Sequence, residues 1–216
     1  MAKTQSLAEV RPLREPARRE PGKRMRSRLL DAAVELFKAK GASGVSVAEI
    51  AAAAGAYPSQ VTYYFRTKEA LFVEAACREI LYVARQAETA AAGAPTGSAY
   101  NRRLVETVIG APGLALFVEA LSLTRRRQDL APLVERTFER LHAEGDRAYA
   151  ETRRKRGWSE TESAATAARR FWTLALGVAL REGATEAAMS EAVEEMMALL
   201  RPEMVELGPE TKTGNA

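Results

Sequence analysis

One four-residue arrangement constrains this chain more than anything else in it. Ser46-Val-Ala-Glu49 sets a serine three residues ahead of a glutamate at the head of an alanine-rich run. In that pattern the serine oxygen takes a backbone N–H and the glutamate reaches back to the serine's own N–H. A helix therefore starts at Val47, with Val47, Ile50 and Ala54 on its apolar side. Gly55 ends it, and Pro58, whose fixed φ suits a first helical turn and whose missing N–H is not needed there, starts another. Two short helices joined by about four residues with a glycine make a helix-turn-helix, whose second helix lies in the DNA major groove. Ahead of it, Leu29, Ala33, Leu36 and Phe37 recur at helical spacing in a helix that ends at Gly41.

The second helix of the motif carries the chemistry. Only Val61 and Phe65 stand at core spacing, which leaves Tyr57, Pro58, Ser59, Gln60, Thr62, Tyr63 and Tyr64 on faces that a small domain need not bury. Glutamine can read adenine through its N6 and N7 edge, and hydroxyls of threonine and tyrosine reach phosphate oxygens while their apolar parts lie against thymine methyls. Ordinary ring packing is the competing reading for Tyr63 and Tyr64. Thr67 caps the next helix, and Lys68 stands in its first turn among free N–H groups, where a phosphate would be held. A lysine there opposes the helix dipole, so an anion nearby would compensate it.

Residues 24–72 resemble the tetracycline-repressor-type transcriptional regulators, in which a helix-turn-helix runs into a segment like the "TYYFRTKEALF" of positions 62–72. The resemblance implies that Ser46 and Lys68 contact phosphates and that Tyr57 to Tyr64 form the base-reading surface. It also implies a homodimer on a palindromic operator and a small molecule that shifts the spacing of the two reading helices, which makes a ligand-responsive repressor. The chain departs from the family pattern at Tyr57, Ser59, Thr62 and Tyr64, positions that bear on which operator is read.

Charge is distributed to suit that reading. Of the 32 Lys/Arg and 28 Asp/Glu residues, nine basic and three acidic ones fall in residues 1–28, leaving 23 basic and 25 acidic for the other 188. Arg24 and Arg26 belong to this basic end. It suits a polyanion such as DNA, and it equally suits a solvated tail. A lone Cys77 and no Cys/His cluster point to a reducing compartment without structural zinc or cofactor, and no leader pattern marks export, so the cytoplasm is expected. The longest apolar run, residues 171–180, is half of what a bilayer span of about 20 residues needs.

Everything downstream reads as helix, with segments at 71–92, 100–109, 112–126, 130–156, 160–181 and 185–201, and a repeat of the serine–glutamate box at Ser159 and Glu162. No period-two alternation occurs. The fold class is all-α, about nine helices, divided as a basic arm 1–23, a helix-turn-helix domain 24–70, a helical body 71–207 and a tail 208–216. Phe171, Ala175 and Val178 form one stripe of the penultimate helix, with Trp172, Leu176 and Leu180 on a second; Met189, Val193, Met196, Met197 and Leu200 stripe the last. Pairing the two helices with their copies would bury this surplus in a four-helix bundle. For a ligand in the body the candidates are Phe117, Leu121, His142, Tyr149 and Trp172, which bring aromatic or polar groups into aliphatic helices. No catalytic motif is present, so an enzyme is not expected. The alternative function is a helical protein-interaction adaptor whose helix-turn-helix no longer binds DNA.

Overall fold

The structure, a computed structural model, describes residues 19–158, 162–181 and 186–200. Every regular element among them is helical: α1 (Arg19–Lys40), α2 (Val47–Ala53), α3 (Pro58–Phe65), α4 (Lys68–Ala91), α5 (Gly97–Ile109), α6 (Pro112–Thr124), a 3₁₀ turn (Gln128–Leu130), α7 (Ala131–Arg156), α8 (Ala164–Arg181) and α9 (Glu186–Leu199). The first helix begins inside the segment expected to be an arm: residues 19–23 belong to α1, and 1–18 lie outside the described residues. Gly41 closes α1 at φ +70°, the left-handed conformation that costs glycine least, with its N–H bonded to the Phe37 carbonyl at 2.9 Å.

The element that organises the molecule is α4. It buries residues around most of its circumference, from Leu71 and Phe72 through Ile80 and Leu81 to Ala87 and Ala91, because α1 and α3 pack on it at one end and α5, α6 and α7 along the rest. Phe37 of α1 meets Phe72 edge-on, with ring centroids 5.1 Å apart. Both rings are almost wholly buried, so each contributes roughly 1.5–3 kcal/mol of burial. One continuous apolar cluster runs from Leu29 to Leu200, joining the N-terminal three helices to the body without a break.

The stripes expected to face a second copy are largely covered within one chain. Phe171, Ala175, Val178, Val193, Met196, Met197 and Leu200 are buried, and so are Trp172 and Leu176 of the second stripe; only Met189 and Leu180 are exposed, at 41% and 66%. The reason is that α8 packs against α7 on one side and against α5, α6 and α9 on others, so one core does cover both stripes. Close approach of α7 and α8 depends on Gly145, where a Cβ would come within 2.9 Å of the Ala168 Cβ. Ser159 lies outside the described residues, and the hydroxyl of Ser163 accepts the Thr166 N–H at 3.1 Å.

No single helix among the described residues is long and apolar enough to cross a membrane. Among the same residues no group of three or more His, Cys, Asp or Glu side chains could hold a metal ion.

Candidate nucleic-acid interface

Local chemistry sets where α2 and α3 begin and end. The Ser46 hydroxyl accepts the Glu49 N–H at 3.2 Å, and one Glu49 carboxylate oxygen accepts both the Ser46 N–H and its hydroxyl at 2.8 Å. Lys40 Nζ holds the other carboxylate oxygen at 2.9 Å. That lysine, followed by the Ser46 amide and hydroxyl, holds the Glu49 carboxyl down at about 2. Gly55 then takes φ +61° to end α2. Pro58 opens α3, and Gln60 completes its first turn by accepting the Tyr57 N–H on Oε1 at 3.0 Å.

From this frame α3 turns one face inward and one outward. Val61 and Phe65 are buried. Tyr57 and Tyr63 are 77% and 79% exposed, more than any other large hydrophobic side chain among the described residues. Pro58, Ser59, Thr62 and Arg66 are exposed beside them. Ser59, Thr62 and Tyr63 follow the i, i+3, i+4 spacing of a single helical face, and Arg66 stands just past the end of the helix. The half-buried Tyr64 is placed differently: its ring lies edge-on to Tyr63 at 4.9 Å and to Phe65 at 6.4 Å, and its hydroxyl lies over Gly22 of α1. Tyr64 therefore props Tyr63 outward.

Several residues expected at DNA are held by partners in the protein. The Lys68 ammonium donates to the carbonyls of Ala42 and Val45, at 2.9 Å each, and so ties the start of α4 to the loop between α1 and α2. Arg26 pairs with Glu74 and lies 4.9 Å over the Phe65 ring, clamping α1 to α3 and α4. The hydroxyl of Ser46 is engaged in its cap, and one oxygen of Gln60 in the cap of α3. Arg24 is exposed on α1. Arg66 went unnoticed in the sequence because it follows the last buried residue of the helix.

In the body, a cavity of about 50 Å³ lies between α4, α5, α7 and α8, walled by Tyr100, Leu104, Tyr149, Phe171 and Trp172 with Glu88 and Glu144 at its margin. Tyr149 and Trp172 of the expected ligand residues meet there. Phe117, Leu121 and His142 do not line it. Phe117 meets Phe138 edge-on and His142 lies tilted against the same ring, at centroid distances of 5.5 and 5.9 Å, and Leu121 is half-buried against the core. Burial, aided by the nearby Arg169 charge, pushes the His142 imidazole below its ordinary value. Within the cavity wall the Tyr149 hydroxyl donates to Asn101 Oδ1 at 3.1 Å. Burial pushes the phenols of Tyr149 and Tyr100 up. Both hydroxyls therefore stay protonated at neutral pH.

Comparison with known proteins places this geometry. Residues 29–75 match the family model for bacterial regulatory proteins of the tetR family, and residues 97–201 match the model for a bacterial transcriptional repressor C-terminal domain. The fold is similar to that of a Rhodococcus sp. RHA1 protein classed as a transcriptional regulator, with 37% identity, a TM-score of 0.71, and coverage of 82% of this chain and 95% of that one. It is also similar to a TetR-family regulator from Mesorhizobium loti MAFF303099, at 22% identity and TM-score 0.62 over 83% of this chain and 94% of that one. A regulator from Saccharomonospora viridis, solved in complex with choline, shares the fold at 18% identity and TM-score 0.59, with coverage of 85% and 99%. No curated protein matches the chain in sequence.

Proposed function

The chain belongs to the TetR family of bacterial transcriptional regulators, and from that premise we propose that it is a repressor that grips a palindromic operator as a homodimer and lets go when a small molecule enters its body. Members of the family bind DNA and are not enzymes. The observation that carries the reading is the outward face of α3, where Tyr57 and Tyr63 stand more than three-quarters exposed beside Ser59 and Thr62. Tyrosine and threonine hydroxyls at that spacing reach base edges and phosphates, and the ring of Tyr63 suits a thymine methyl. Gln60 presents its amide N–H₂ to the groove while its oxygen caps the helix.

A second copy would make one reading helix into two, about 34 Å apart or somewhat more. Among the described residues the large exposed apolar side chains on α8 and α9 are Leu180, Met189 and Leu199, and these, with Thr173 and the open backbone at Gly177, are the contacts a copy would use. The cavity between α4, α5, α7 and α8 is the place for a ligand. At about 50 Å³ it admits one only by moving those helices, and because α4 also carries α1 and α3, such movement reaches the reading heads. The cytoplasm is where such a repressor meets its operator.

Selection of sites from a random pool of duplexes, followed by footprinting of the best, tests this. The reading expects a palindrome with two protected patches about one helical turn apart on one face of the duplex. A pool without sequence enrichment would refute it, and would favour a protein-docking role for the exposed tyrosines.

A further inference from the structure

We propose that Arg66 is the cation that grips a DNA backbone phosphate at the end of the reading helix, and that its backbone strain is the cost of placing it there. The inference rests on the DNA-binding reading above. Arg66 is the single residue other than glycine with positive φ among the described residues. Its φ of 67° and ψ of −51° fall outside the left-handed helical region that asparagine tolerates, and the Thr67 N–H donates across it to the Phe65 carbonyl at 2.8 Å. That is a γ-turn of the strained hand.

The neighbours explain why the strain persists. On one side Phe65 is buried and the Arg66 N–H closes the last turn of α3 on the Thr62 carbonyl at 2.9 Å. On the other, the Thr67 hydroxyl caps α4 by accepting the Ala70 N–H, and Lys68 is tied to Ala42 and Val45. Two anchored helices are thus joined by two residues, and the first must make the turn. Glycine makes such a turn at least cost, yet an arginine stands there.

Its side chain is the reason. Five cations that join the helices of this domain to one another or to α4 are held within the protein: Arg26 by Glu74, Lys38 by Glu35 and Glu79, Lys40 by Glu49, Arg78 by Asp31, and Lys68 by two carbonyls. Arg66 is exposed, and its side chain has no hydrogen bond or ion pair among the described residues. It directly follows the helix that carries the exposed Ser59, Thr62 and Tyr63. The N-terminal turn of a recognition helix contacts base edges, so a guanidinium beyond its C-terminus faces the flanking backbone, where a phosphate accepts two parallel N–H bonds. The partner is therefore phosphate.

The test compares Arg66→Gly, Arg66→Asn and Arg66→Lys with the parent protein in thermal unfolding and in binding to a selected duplex and to random-sequence duplexes over a salt series. Arg66→Gly should unfold a few degrees higher, yet bind every duplex about tenfold more weakly near 0.1 M salt, with a log K against log salt slope shallower by about 0.9 for each reading helix. Arg66→Asn should show the same binding loss, and Arg66→Lys should keep the parent's slope. Parental affinity and slope in the glycine and asparagine variants would overturn the assignment, as would a lower unfolding temperature for Arg66→Gly or a changed preferred sequence. A parent protein without salt-sensitive binding would overturn both this inference and the function it rests on.

Discussion

Lys68 gives the sharpest contrast between a role inherited by resemblance and a role visible in the geometry. Consider Lys68→Met, which keeps the aliphatic stem and removes the ammonium. The parent makes two charge-assisted bonds at 2.9 Å to the carbonyls of Ala42 and Val45. A hydrogen bond to a charged group contributes about 1.5–3 kcal/mol when buried. Lys68 is only half-buried, so water replaces part of each bond, and the pair together should contribute about 2 kcal/mol. For a chain of this size that lowers Tm by roughly 4–8 °C, read by circular dichroism on the full-length protein. In the same variant the salt dependence of DNA binding should keep its slope, because no phosphate contact has been lost. An unchanged Tm with a slope shallower by about 0.9 per reading helix would refute the clamp and restore the phosphate role.

Three further outcomes follow from the site. Ser46→Ala removes the cap of α2 and should cost about 1 kcal/mol, seen as a fall in Tm without a change in preferred DNA sequence; no fall would mean that the cap is idle. Gln60→Glu preserves an oxygen for the Tyr57 N–H but removes the amide donor, so site selection should yield an altered preference at unaltered stability, whereas an identical selected site would show that Gln60 serves only as a cap. Glu49, held down at about 2 against 4.5 for a free carboxyl, favours the folded state above pH 4.5. Its contribution is lost as pH falls through about 2. NMR titration of its carboxyl should show the low midpoint, and Lys40→Met should raise it; a midpoint already at 4.5 in the parent would contradict the Lys40 and Ser46 contacts.

The local parts of the interface were legible in the sequence because they depend on residues close together in the chain. The Ser46–Glu49 box, Gly55 and Pro58 set both helices of the motif, and the apolar spacing of Val61 and Phe65 told which face turns inward. What could not be read depends on distant partners. Nothing near Lys68 in the chain announces the carbonyls of Ala42 and Val45, 26 and 23 positions away, and Arg26 meets Glu74 across 48. Arg66 carries no glycine or asparagine to signal a left-handed turn; only the anchoring of α3 and α4 on both sides imposes one. The stripes of α8 looked like a surplus because a single helix does not reveal how many neighbours it has. Four helices pack on it, and Phe171, assigned to a partner by spacing, is buried within the chain and walls the cavity with Tyr149 and Trp172.

The central claim is that the outward side of α3 meets DNA, and hydrogen exchange with and without a selected duplex tests it where it is made. The account predicts that DNA slows exchange at amides of residues 57–67, while the far end of α4 and the α7–α8 pair change little. Slowed exchange confined to α4–α9, with α3 unaffected by the duplex, would contradict it.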